Sequence, residues 1–94
     1  MMSFEDWALG ANLMIQRYAD VAKCEIEASI DGERARWACG THWCNAAPSL
    51  PDAKFTTVEF WDSRNWVVAL IADPSVAGRR IAGCLLEKDP ATQP

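Results

Sequence analysis

Residues 24–39 read Cys-Glu-Ile-Glu-Ala-Ser-Ile-Asp-Gly-Glu-Arg-Ala-Arg-Trp-Ala-Cys, and this stretch predicts most about the fold. Apolar and polar residues alternate on both sides of Asp31-Gly32, a pair that favours the tight turn of a β-hairpin. A two-residue loop at this point sets Ile26 opposite Trp37 and places the apolar side chains on one face. We therefore predict an antiparallel hairpin over residues 24–39.

The segment before this hairpin has the pattern of an amphipathic helix. Ser3 and Asp6 resemble a capping box at its start, and apolar residues recur at helical spacing over about residues 4–22. This pattern predicts a helix that packs on one face of the sheet. Leu9 and Leu13 fall on the polar side of the helix, where they are either ordinary surface leucines or part of a partner site.

A second hairpin is predicted over about residues 56–72. The sequence Asp62-Ser63-Arg64-Asn65 separates two apolar runs, and Asn65 is able to take the left-handed conformation that a short loop needs. The resulting register places Val58 and Phe60 towards the helix. The side chains predicted for the opposite face of the sheet, the outer face, are Trp61, Val67 and Ile71.

The remaining segments are less regular. Residues 40–54 show no period and predict a long loop. Residues 79–87 fit a strand or a short helix. We favour a strand because Gly78 and Gly83 would each cost a helix about 1 kcal/mol relative to alanine.

Composition agrees with one small domain. The 94 residues are half apolar, which predicts a single α+β domain over residues 1–88 and a disordered tail over residues 89–94. The fold class is an N-terminal helix on one face of a four- to five-stranded antiparallel sheet.

Charge and targeting signals bear on the partners and the location. The net charge of −4 argues against binding to nucleic acid or to an anionic membrane. No apolar run approaches the ~20 residues of a membrane span, and no signal peptide is visible. These observations predict a cytoplasmic protein with mostly reduced cysteines and no cofactor.

Cysteine and histidine cluster in one short segment. Cys39, His42 and Cys44, with Cys24 opposite Cys39, are conceivable zinc ligands, but the second knuckle typical of a structural zinc site is missing. A Cys24–Cys39 disulfide is also disfavoured, because a hydrogen-bonded pair in an antiparallel ladder suits bridging poorly. Cys44 activated by His42 would need an orienting group that the sequence does not identify. We predict neither a metal site nor a catalytic site.

Three functions remain open. The main prediction is a non-enzymatic protein that forms a homodimer, or binds a protein partner, through an apolar outer face. The alternative is a small-molecule-binding protein or minor enzyme with a tryptophan-lined pocket between the helix and a curved sheet. There Trp43 would sit in the irregular loop and Glu59 or Asp62 would anchor the ligand. The second alternative is a zinc-stabilised domain.

Overall fold

The computed structural model describes residues 2–48, 58–63 and 69–86, and only the backbone of Ala69 and Leu70. The strands form one antiparallel sheet in the order β1-β2-β3-β4-β5. This architecture confirms the predicted fold class, while the predicted tail over residues 89–94 lies outside the described part. The elements, in chain order, are α1 (Phe4–Ala22), β1 (Glu27–Ile30), β2 (Ala35–Cys39), β3 (His42–Pro48), β4 (Val58–Asp62), β5 (Ala69–Ile71) and α2 (Pro74–Leu86).

Helix α1 begins and ends where its sequence predicts. The backbone N–H of Asp6 donates to Ser3 Oγ at 3.1 Å, which satisfies one of the free donors of the first turn. At the other end Lys23 takes a left-handed conformation with φ of 58°, and its N–H donates to carbonyls of the last turn. The buried residues of the helix are Phe4, Trp7, Ala8, Ala11, Ile15 and Ala19.

The predicted C-terminal strand over residues 79–87 is wrong, because α2 occupies most of this segment. The carboxylate of Asp73 accepts hydrogen bonds from the backbone N–H groups of Ser75 and Val76, at 2.8 and 3.3 Å. Pro74 follows at the first helical position, where its missing N–H costs nothing. These local signals start the helix firmly enough to override the cost of its glycines.

Gly78 lies at a close contact between the two helices. A Cβ atom at this position would lie 2.6 Å from the carbonyl oxygen of Ala11 and 2.7 Å from Cβ of Met14. The glycine therefore permits close helix–helix packing, and the packing gained offsets its low helix propensity. By contrast, a Cβ atom at Gly83 would meet no atom of the described residues within 4 Å.

The first hairpin exists with the predicted faces but with different partners. Ala28 pairs with Trp37, so the register is shifted by two residues from the predicted one. The cause is the side chain of Asp31, whose Oδ1 accepts from the backbone N–H groups of Glu33 and Arg34 at 2.7 and 2.9 Å. Asp31 thus occupies the first corner of the turn, and the two central residues are 32 and 33.

The long loop predicted over residues 40–54 is wrong for its first half, which forms β3. Cys39 pairs with His42 across a two-residue turn, and Gly40 has a φ of 62°. Glycine tolerates this left-handed conformation, which hairpin turns of two residues require. The rest of the predicted loop, from residue 49 onwards, lies outside the described part.

The second hairpin is shifted by one residue from its predicted register. Val58 pairs with Ile71 rather than with Leu70. Because side chains alternate between faces, a slip of one residue moves Ile71 from the outer face to the core side, where it packs against the core. Val67 and the predicted loop residues after Ser63 lie outside the described part.

Both helices cover the same face of the sheet, the core face. From α1, Asn12 Oδ1 accepts a hydrogen bond from Trp37 Nε1 on β2 at 3.0 Å. From α2, the guanidinium of Arg80 lies 5.7 Å from the ring centroid of Phe60 on β4. In the described part of the chain, neither helix lies on the outer face. Neither of them has the length and hydropathy that crossing a membrane would require.

The structure joins Cys24 and Cys39 by a disulfide bond, contrary to our prediction of reduced thiols. Cys24 precedes β1 and does not belong to the ladder, so the geometry expected of a hydrogen-bonded pair does not apply to it. The bond ties the segment after α1 to the last residue of β2. Cys44 and Cys84 are free thiols.

Candidate functional site

The outer face carries a mixture of aromatic, polar and charged side chains. It was predicted to be apolar, but most of its described residues are polar or small, and Trp43 and Trp61 are half-buried among them. Alternation along each strand determines this set. The outer-face residues are Glu27, Ser29, Arg36, Ala38, Trp43, Asn45, Ala47, Glu59 and Trp61.

A row of three side chains crosses the centre of the outer face. Arg36 on β2 pairs with Asn45 on β3, which pairs in turn with Trp61 on β4. Trp43 is two residues from Asn45 on the same strand, and the guanidinium of Arg36 lies 5.3 Å from its ring centroid. This cation–π contact orients the arginine. Trp43, which we predicted in a loop, thus shares a surface with Trp61.

A depression lies beside this row, above the small side chain of Ala47. Its cavity volume is about 280 Å³. Larger neighbours surround the methyl group of Ala47, which explains why the surface is concave here. The lining residues are Glu33, Arg34, Ala35, Arg36, Asn45, Ala47 and Trp61.

Two arginines lie on the β2 side of the outer face and Glu59 lies on the β4 side, while Glu27 lies on the edge strand β1. Arg36 lies on β2, with Arg34 just before that strand, whereas Glu59 lies on β4, two strands away. In the residues that the structure describes, no ion pair engages Arg36 or Glu59. These charges remain available to a binding partner.

The other predicted partner-site residues do not join this surface. Leu9 and Leu13 are exposed, at 47% and 71%, on α1 and therefore on the helix side of the molecule. Tyr18 and Val21 of α1 are also exposed, and they line a groove of about 400 Å³ between α1 and α2. Of the three residues predicted for the outer face, the described structure places only Trp61 there.

The cysteine–histidine cluster is dispersed by the fold. Cys39 is bonded to Cys24, and His42 lies opposite Cys39 at the β2–β3 turn. Cys44 points into the core, where burial raises the pKa of its thiol far above the ordinary value, and Cys84 and Asp62 raise it further. A thiol of this kind is the opposite of an activated nucleophile. Across residues 2–48, 58–63 and 69–86 no three metal-ligating side chains come together.

The two predicted ligand anchors lie on opposite faces. Asp62 is buried on the core face, where it pairs with Cys44 across the strands, whereas Glu59 lies on the outer face. The space between α1 and the sheet is filled by Trp7 and Trp37, both fully buried. The described residues therefore give no support to a ligand pocket at that position.

Comparison with protein-family models, with curated proteins and with solved structures finds no match for this chain. Its function must be argued from the outer face itself. Sequence reasoning missed Asn45 and Ala47 as parts of this face because it missed β3. The signal was Gly40-Thr41, a two-residue turn between the strand ending at Cys39 and the alternating segment after it.

Proposed function

We propose that this protein is a non-enzymatic binding protein that self-associates through its outer face. The observation that carries this proposal is the pair Trp43 and Trp61, both half-buried beside the exposed Arg36 on a sheet face that neither helix covers. Tryptophan and arginine are the residues that most often dominate the binding energy of protein interfaces.

A second copy of the chain fits the charge pattern of this face. If a twofold axis runs along β3, β2 of one copy faces β4 of the other, because the axis exchanges the two sides of the sheet. Arg34 and Arg36 of one copy then approach Glu59 of the second copy. Trp61 of that second copy approaches the Arg36 guanidinium, and the aligned stacking of two sheets accommodates this arrangement.

The size of the face sets the expected affinity. Five strands spaced at about 4.8 Å, each about 17 Å long, give a surface of roughly 400 Å² per copy. Two copies would bury on the order of 800 Å², which is typical of weak and transient complexes. We therefore expect a dimer with a dissociation constant in the micromolar range.

Sedimentation of the purified protein over about 1–200 µM tests the proposal, because this range spans a micromolar equilibrium. The wild type should shift from monomer to dimer, and Trp61→Glu should remain monomeric. Leu13→Glu is the matched control, since Leu13 is exposed on the helix side, and it should dimerise like the wild type. A wild type that is monomeric throughout this range would overturn self-association through this face. A Trp61→Glu variant that dimerises as well as the wild type would also overturn it.

Exchanging the charges of Arg36 and Glu59 distinguishes binding to a second copy of the chain from binding to an unrelated partner. Arg36→Glu and Glu59→Arg should each weaken the dimer, since each places like charges opposite one another across the axis. The double variant should recover much of the lost affinity, because the charges are exchanged on both copies at once. If the double variant is weaker than either single variant, the proposed arrangement is wrong.

The cytoplasmic location stays a prediction. The Cys24–Cys39 disulfide favours an oxidising compartment, because the cytosol keeps most thiols reduced. Counting free thiols after rapid alkylation in the native cell decides the point. Four alkylated cysteines support the cytoplasm, whereas two support an oxidising compartment.

A further inference from the structure

We infer that the depression above Ala47 is a binding site for a small aromatic monocarboxylate. This inference goes beyond self-association and concerns the monomer, because Arg34, Arg36 and Trp61 line the depression and also belong to the proposed dimer contact, so that the dimer would cover the site. The site combines a flat apolar wall, two guanidinium groups and a carboxamide around one concave surface.

The shape of the depression fits a ligand with a single ring. Its volume of about 280 Å³ is at the lower end of small-molecule sites. The indole of Trp61 forms one wall, and an aromatic ring stacks on such a surface at little cost in conformational entropy. The methyl group of Ala47 is the floor, so any larger side chain at this position would fill the site.

The polar groups of the lining favour a carboxylate. Arg34 and Arg36 both line the depression, and the planar guanidinium group matches a carboxylate through two parallel hydrogen bonds. In the described part of the chain, the carboxamide of Asn45 makes no hydrogen bond and the Arg36 guanidinium makes no ion pair. The Asn45 carboxamide is therefore free to bind a ligand, and the Arg36 guanidinium would exchange its cation–π contact with Trp43 for the ligand.

One wall of the site is held in place by the β1–β2 turn. The carboxylate of Asp31 accepts from the backbone N–H groups of Glu33 and Arg34, which fixes the start of the Arg34 side chain. The Glu33 side chain also lines the depression, and its negative charge disfavours a second anionic group on the ligand. Two arginines and one glutamate give the lining one net positive charge, which a monocarboxylate neutralises and a dicarboxylate or a phosphate exceeds.

Benzoate is the probe, and benzamide is its neutral counterpart of the same shape. Ligand-observed NMR with about 5 µM protein keeps a micromolar dimer dissociated, so that this test is independent of self-association. Benzoate should bind saturably with a dissociation constant on the order of 1 mM, as expected for so small a ligand. Benzamide should bind at least about tenfold more weakly, because it lacks the charge that the arginines recognise.

Three variants locate the site. Ala47→Ile should abolish detectable benzoate binding by filling the depression, while its β-branched side chain suits a strand. Arg34→Gln and Arg36→Gln keep the cavity and should each weaken binding by about tenfold. Arg17→Gln, on the opposite side of the molecule, should bind like the wild type.

Circular dichroism confirms that each variant is folded, and the two arginine variants test the site even if Ala47→Ile fails to fold. The inference is overturned if benzoate shows no saturable binding, or if benzamide binds as tightly. Wild-type affinity in Ala47→Ile, or in both arginine variants, would also overturn it.

Discussion

Phe60 and Trp61 are neighbours in β4, yet they belong to opposite faces of the sheet. Phe60 is fully buried beneath α2, whereas Trp61 is half-buried on the outer face beside Asn45. Both are large aromatic residues, so hydrophobicity alone does not explain the difference. The difference is that both helices cover the core face, whereas neither of them covers the outer face in the described part of the chain.

The largest expected effect is on the free energy of unfolding, and it distinguishes Phe60 from Trp61. Phe60→Ala should lower the free energy of unfolding by about 3–5 kcal/mol, because it removes a large buried side chain and leaves a cavity. Trp61→Ala should change it by less than about 1 kcal/mol, as is usual for residues outside the core. Urea denaturation at a concentration where the protein is monomeric measures both values. Equal losses of unfolding free energy in the two variants would contradict this difference between the two faces.

The disulfide holds the helix layer to the core face. Removal of the Cys24–Cys39 bond, which closes a segment of 15 residues, should lower the free energy of unfolding by about 3 kcal/mol, because the unfolded chain gains conformational entropy. Denaturation of Cys24→Ser/Cys39→Ser with and without reductant measures the effect. The wild type should lose stability on reduction, and the double variant should be unaffected. A wild type insensitive to reductant would contradict the prediction.

Two glycines of α2 allow a covered position to be compared with an open one: Gly78 is packed against α1, whereas Gly83 is exposed. Gly78→Ala should destabilise the protein by about 1–3 kcal/mol, since the new methyl group would overlap the backbone of α1. Gly83→Ala should stabilise it by up to about 1 kcal/mol, because alanine has the higher helix propensity and space is open there. Thermal unfolding of the two variants side by side gives both signs. Stabilisation by Gly78→Ala would refute the close helix contact.

The smallest expected effect is a dependence on pH. Hydrogen bonds from backbone N–H groups lower the pKa of Asp31, and those from Ser75 and Val76 lower the pKa of Asp73, both from an ordinary 3.8. Each ionised carboxylate therefore stabilises the folded state at pH values above the pKa that it has in the unfolded chain. This stabilisation is lost as the pH falls through the lower pKa of the folded state.

Urea midpoints measured between about pH 6 and pH 2 should decline below about pH 4 as these carboxylates become protonated. The variant Asp31→Asn/Asp73→Asn should show a shallower decline. Glu5→Gln is the control, because this carboxylate makes no such bonds in the described part, and it should retain the wild-type profile.

Local patterns of the sequence predict much of this fold. The Ser3 cap and the helical period give α1 its correct bounds, and alternation assigns the two faces of the first hairpin correctly. The errors arise where two local signals compete. At Asp31-Gly32 the side chain of Asp31 caps the turn and shifts the register by two residues, and at Gly78 packing outweighs propensity.

The candidate site was harder to predict, because it joins residues from strands that are distant in sequence. Trp61 was expected on the outer face and is found there. Its neighbours Arg36 and Asn45 lie up to 25 positions earlier along the chain, which is the separation of Arg36 from Trp61. A one-residue slip in the second hairpin was enough to exchange the face of Ile71, since the side-chain period of a strand is two.

By itself, the sequence determined the N-terminal helix, the antiparallel hairpins and the α+β class, because caps, turns and periodicity act over a few residues. The tertiary structure decided the rest: the second helix beside α1, the Cys24–Cys39 bond, and the placement of Trp43 and Trp61 on the same face of the sheet. Each of these depends on contacts between segments far apart in the chain. These contacts stabilise the protein only once the distant segments are packed together, so no short stretch of sequence indicates them.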